Sequence, residues 1–164
     1  MIDGQKTSGG WFIIPLSFAV ALLVMILPLP EWMTDYRPDL VALVLIYWCL
    51  MTPNKIGIVV GWLVGLIVDV MQFGLLGTNA LSKTVLAFLV IRFNERIRLF
   101  SKFQQSIVVF VLLSIDTAIL VWVRNIVSGT KLEIWAWMPT VISMLLWPIL
   151  VVTLRRVGRF SRLS

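Results

Sequence analysis

The sequence predicts an all-α integral membrane protein, a bundle of six transmembrane helices with five as the alternative. Three observations carry that reading. The chain of 164 residues is 60% hydrophobic and only 13% charged, with a mean hydropathy of +0.99, whereas a soluble domain sits nearer half apolar and a quarter charged. Its apolar residues fall in six stretches broken by short polar turns. Its basic residues gather at every second turn, as the positive-inside rule requires of a multi-pass protein.

The spans, with their flanks, run over 11–29, 38–52, 56–76, 78–93, 104–123 and 135–154, in a single polytopic domain covering 1–164. The first is long enough to cross about 30 Å of hydrocarbon. It ends in Pro28-Leu29-Pro30 without a small-residue cleavage site, so it reads as a span and not as a signal peptide. The second and fourth need their flanks to approach the roughly 20 residues of a full crossing, which makes them thin, tilted or re-entrant. Pro15 in the first span and Pro148 in the sixth each remove a backbone donor and loosen their helices. Pro139 falls in the first turn of the sixth, where no donor is needed.

Charge gives the direction. With six spans, Lys6, Lys55, Arg92, Arg96, Arg98, Lys102, Arg155, Arg156, Arg159 and Arg162 share one side, and Arg37, Lys83, Arg124 and Lys131 the other. Ten basic residues against four puts both termini in the cytoplasm. The net charge of +6 therefore reads as topology plus attraction to anionic lipids, and not as nucleic-acid binding. The link over 92–105 reads as a basic amphipathic turn on the inner leaflet, with Phe93, Ile97 and Phe100 on one face, and 155–164 as a basic tail. Trp11 and Trp48 fall near the inner interface, and Trp32, Trp122, Trp135 and Trp137 near the outer one.

Within the spans, Gly57, Gly61, Gly65 and Asp69 recur at a four-residue step and so share one helix face. Small residues let a second helix come close in lipid. That helix belongs either to this chain or to a partner. Two carboxylates, Asp69 and Asp116, are intramembrane, and such groups must meet protein or water. Lys83 descends to a depth comparable with Asp69 and is its expected partner; Arg124 lies two turns beyond Asp116 on a similar face, with Thr117, Ser114 and Asn79 as further hydrogen-bonding groups. A polar clamp between helices is the plainer use of this network, and a proton path or ligand pocket the sharper one.

Enzyme chemistry is poorly supplied. There is no histidine and one cysteine, Cys49, so the common base, the commonest metal ligand and any internal disulfide are absent. No phosphate-binding glycine loop or nucleophile elbow occurs. No metal or other cofactor is expected.

The order of motifs resembles the MreD family of rod shape-determining membrane proteins, in its proteobacterial branch. The resemblance rests on Arg37-Pro38-Asp39 leading into Leu45-Ile46-Tyr47-Trp48, on Gly61-x-x-x-Gly65-x-x-x-Asp69, on Leu76-Gly77 running into Ala87-Phe88-Leu89, and on Leu146-Trp147-Pro148 before the basic residues from Arg155. It implies a non-enzymatic scaffold of the bacterial inner membrane. Such a protein binds MreC, and through it joins MreB filaments to RodA and the elongation penicillin-binding transpeptidase in lateral wall synthesis. The resemblance also implies a fold similar to the substrate-binding subunits of vitamin transporters. The alternative is therefore a small-molecule transporter subunit with a pocket around Asp69, Lys83 and Asp116.

Overall fold

The computed structural model describes residues 8–129, 131 and 134–160; Lys6, Arg162 and the end of the basic tail lie outside the described residues, as does the side chain of Trp11. All regular structure among the described residues is helical. The elements are α1 (Ser8–Ile26), the single turn α2 (Glu31–Thr34), α3 (Leu40–Met51), α4 (Ile58–Met71), α5 (Thr78–Leu99), α6 (Lys102–Ser128) and α7 (Met138–Phe160), the last preceded by a 3-10 turn (Ile134–Trp137). Two stretches, Lys102–Ser128 and Ile134–Arg159, are long and apolar enough to cross a membrane. Phe12–Ile26, Leu40–Met51 and Ile58–Met71 are shorter apolar helices.

The shortest long helix sits at the centre. All ten residues from Val41 to Leu50 are buried, as expected of a helix that is apolar on every side. At 1.5 Å per residue α3 is only about 18 Å long, and polar side chains close both of its ends, its own N-cap at one and a neighbour's amide at the other. Asp39 caps its N-terminus through the Ala42 N–H at 2.9 Å. At the other end the Asn94 side-chain amide donates to the carbonyls of Cys49 and Leu50 at 3.0 and 3.3 Å. Helix termini leave unmatched N–H and C=O groups, and here α5 supplies what α3 lacks. Arg37 does the same for α1, donating to the carbonyls of Val24 and Leu27. The Trp48 indole N–H reaches the Ser17 hydroxyl at 2.8 Å and ties α3 to α1. Trp48 is thus buried and hydrogen-bonded.

The link over 92–105 differs from the expected surface turn. Residues through Leu99 continue α5, Phe100 leaves the helix in extended backbone, and Ser101 starts α6 with a capping box shared with Gln104. Ile97 and Asn94 are buried while Phe93 and Phe100 are exposed, so the three apolar residues do not form one lipid-facing stripe. Packing of Ile97 and Asn94 against the bundle fixes the rotation of α5 instead. Pro15 and Pro148 lie inside continuous helices.

Candidate functional site: a buried lysine between two carboxylates

The glycine step resolves into a helix pair. Helix α4 runs antiparallel to α5, and a Cβ on Gly61 would stand 2.8 Å from the Lys83 carbonyl oxygen and 2.9 Å from the Ala87 Cβ. On Gly65 it would stand 2.5 Å from both the Ala80 Cα and the Asn79 carbonyl oxygen. Both glycines are buried, so this face is covered by the protein's own α5 and is closed to a partner helix. Gly57 is outside the contact: it caps α4, with nothing within 4 Å of a Cβ placed there.

Asp69 finishes the same stripe but does not meet Lys83. Its carboxylate accepts the backbone N–H groups of Gly77, Asn79 and Ala80 at 2.9, 3.0 and 3.2 Å, and the Asn79 side-chain amide at 2.9 Å. These donors form the first turn of α5, whose own cap, Gly77, has no side chain and a φ of +99°. A helix N-terminus offers unmatched N–H groups and a partial positive charge. Asp69 finds that terminus nearer than any lysine. The expected Asp69–Lys83 pair is therefore replaced by a cap supplied from the preceding helix.

Lys83 instead stands between two other carboxylates. Its Nζ lies 2.6 Å from Asp39 Oδ2 and 2.7 Å from Asp116 Oδ2. Lys83 and Asp116 are almost wholly enclosed, with side chains 1% and 2% exposed, while Asp39 is 35% exposed. Asp116 also accepts the Ser82 hydroxyl. The Asp39 backbone N–H donates to the Ser143 hydroxyl at 3.1 Å, which in turn donates to the Pro139 carbonyl at 2.7 Å. Thr117 and Thr140 join their hydroxyls at 3.0 Å. One polar centre therefore fastens α5 to α3 and α6, and α7 to both of those helices.

The other groups expected around Asp116 go elsewhere. Asn79 serves Asp69, and Ser114 donates to the Phe110 carbonyl one turn back. Arg124 is exposed and forms no ion pair with Asp116. Asp39 and Ser82 are the contributors that reading the spans missed. An aspartate directly after Pro38 and before an apolar run carries an N-cap signal, which could have placed Asp39 at the head of α3. In the same tripeptide Arg37 closes α1, so Arg37-Pro38-Asp39 ends one helix and begins another. Trp147 is 1% exposed in the core, next to Pro148 within α7.

Beside the centre lies a cleft of about 390 Å³, walled by the C-terminal half of α6 and the first turns of α7. Asp39, Asp116, Thr117 and Thr140 reach it from within, and Asp35, Arg124 and Trp135 also line it. Asp69 does not, so the pocket around Asp69, Lys83 and Asp116 is not the one the fold builds. A second recess of about 390 Å³, between α1 and α7, is lined almost wholly by apolar side chains such as Ile13, Val20, Leu146 and Ile149.

The model of a family described as rod shape-determining protein MreD matches residues 5–157. A rod shape-determining protein MreD from Haemophilus influenzae is 29% identical over 154 residues, which cover 93% of this chain and 94% of that protein. No solved structure matches.

Proposed function

The chain belongs to the MreD family of rod shape-determining membrane proteins, and from that membership we propose that it is a non-enzymatic scaffold of the cell-elongation machinery. In this reading it is a multi-pass protein of the bacterial inner membrane with both termini in the cytoplasm. It binds MreC directly through transmembrane helices, and with it couples MreB filaments to RodA and the elongation penicillin-binding transpeptidase. Anionic lipids surround its basic end.

The observation that supports a scaffold over an enzyme is the use made of the intramembrane charges. Lys83, Asp39 and Asp116 tie α5, α3 and α6 to one another, and Asp69, on a fourth helix, caps the first turn of α5. Groups so engaged hold a shape. Because Gly61 and Gly65 are covered by α5, the contact with MreC belongs on an outer apolar face and not on the glycine stripe.

Pull-down of the tagged chain from membranes tests the proposal. MreC should be recovered with it, and cells lacking the chain should become round. Recovery of folded protein without MreC would overturn the direct contact.

A further inference from the structure

The recess of about 390 Å³ between α1 and α7 is a slot with a buried back and exposed rims. Ile13 and Ala21 of α1 and Val44 of α3 form the back, while Val20 and Ile149 stand exposed at the edges. On α7 the wall runs from Leu146 through Leu150 and Leu154 to Val157, a spacing that keeps to one helix face. Two polar side chains are among the described residues that line it, and both are already engaged. The Ser17 hydroxyl accepts the Trp48 indole N–H and donates to the Ile14 carbonyl, and the Thr153 hydroxyl donates to the Ile149 carbonyl. The slot therefore suits an apolar occupant, and a bilayer offers two: lipid hydrocarbon or another helix.

Length, volume and charge separate them. From Leu146 to Val157 the wall extends about 16 Å, close to half of a hydrocarbon core about 30 Å thick. Over that length a helix about 10 Å across fills roughly 1,300 Å³, so a partner helix places no more than a ridge of side chains in the slot. An unbranched acyl chain lies along it whole. The slot reaches the basic end of α7: Arg156 is exposed, one residue before Val157 and one turn beyond Thr153, and Arg159 is exposed a turn further on. Neither α1 nor α7 carries an aspartate or glutamate, so the charge at this mouth matches an anionic headgroup. We propose that the slot seats one acyl chain of an anionic phospholipid, with the headgroup at Arg156. The proposal rests on the reading of the chain as a membrane protein with anionic lipid at its basic end, and gives that lipid a position.

The test uses the full chain in nanodiscs of phosphatidylglycerol and phosphatidylcholine. Each lipid in turn is supplied in trace amount with a photoreactive group midway along one acyl chain, and labelled peptides are identified by mass spectrometry. Labelling by the phosphatidylglycerol probe should concentrate on 13–21 and 146–157 and exceed that on the outward face of α4, where Val59 and Val70 are exposed. Ile149→Trp, or Val20→Trp from the opposite rim, fills the slot and should cut the labelling of the facing helix several-fold, whereas Val59→Trp should leave it unchanged. Arg156→Gln should lower the preference for phosphatidylglycerol about fivefold, the share of one basic residue near the surface. Labelling spread evenly over the lipid-facing helices, or untouched by either filling variant, overturns the slot. Equal labelling by the two probes in the wild type overturns the anionic headgroup. If a photoreactive residue at position 20 cross-links to protein and not to lipid in native membranes, a partner helix covers the slot and the proposal falls. Both leaflets of a disc have one composition and no other protein spans it, so the disc result is independent of which end is cytoplasmic and of MreC.

Discussion

Lys83 and its two carboxylates differ in what their removal leaves behind. Lys83→Met strands Asp39 and Asp116 facing each other, with Asp116 2% exposed. Taking one partner from a buried pair costs about 3–5 kcal/mol, so this variant should show a large loss of thermal stability in detergent or fail to accumulate. Asp116→Asn keeps the Lys83–Asp39 pair, 2.6 Å apart, and should cost less. Combining the two should recover part of the Lys83→Met loss, because the stranded charge is gone. Additive losses would show that the centre is not coupled. Asp69 makes a different prediction, since it has no cation and its partners are four N–H groups. Asp69→Ala removes a cap worth about 0.5–2 kcal/mol, whereas Asp69→Asn keeps one side-chain carbonyl oxygen and should lose less. Equal melting temperatures for Asp69→Ala and the wild type would contradict the capping role.

At the scale of elements, α4 and α5 form a hairpin whose closeness depends on two glycines out of three. A methyl on Gly65 meets backbone atoms of α5 at 2.5 Å, and one on Gly61 meets the Lys83 carbonyl oxygen at 2.8 Å. Overpacking of this kind costs about 1–3 kcal/mol, so Gly65→Ala and Gly61→Ala should lower the unfolding midpoint. Gly57→Ala, with open space around it, should stay within about 0.5 kcal/mol of the wild type. Larger residues at Gly61 or Gly65 should reduce the amount of folded protein before they affect any partner specifically. The contrast shows what the sequence made legible. A four-residue step of small residues identified a close helix approach, because spacing alone puts them on one face. Which helix approaches is a matter of chain reversal at Gly77, and nothing in the step encodes it. The charges divide in the same way. Asp69, Asp116 and Lys83 were recognisable as groups needing partners, since a lone charge in apolar chain is costly wherever it lies. Their pairing depended on the first turn of α5, whose backbone N–H groups compete for a carboxylate although no side chain announces them. Likewise Asp39 looks like a loop residue until α3 is seen to begin at Leu40 and to run parallel to α5, which brings Lys83 to its head.

For the whole molecule, the proposed orientation rests on where the helices gather the basic residues. The helices place Lys55, Arg92, Arg96, Arg98, Lys102, Arg155, Arg156 and Arg159 at one end of the bundle, where α3 and α5 finish and α4 and α6 begin. Of the four basic residues assigned to the other end, two have internal duties. Arg37 donates to the carbonyls of Val24 and Leu27, and Lys83 is enclosed between Asp39 and Asp116. Arg124 and Lys131 are the other two basic residues assigned to that end. The asymmetry of ten against four is the one that the positive-inside rule reads. Reporter fusions after Ser128 should consequently report the outside and fusions after Ser164 the cytoplasm. Adding two lysines beside Lys131 should not invert the chain, because the basic end still outnumbers them. Replacing Arg92, Arg96, Arg98 and Lys102 together with glutamine should weaken the preference and yield mixed reporter signals. A Ser164 fusion found outside in the wild-type chain would remove one crossing and return the five-span arrangement.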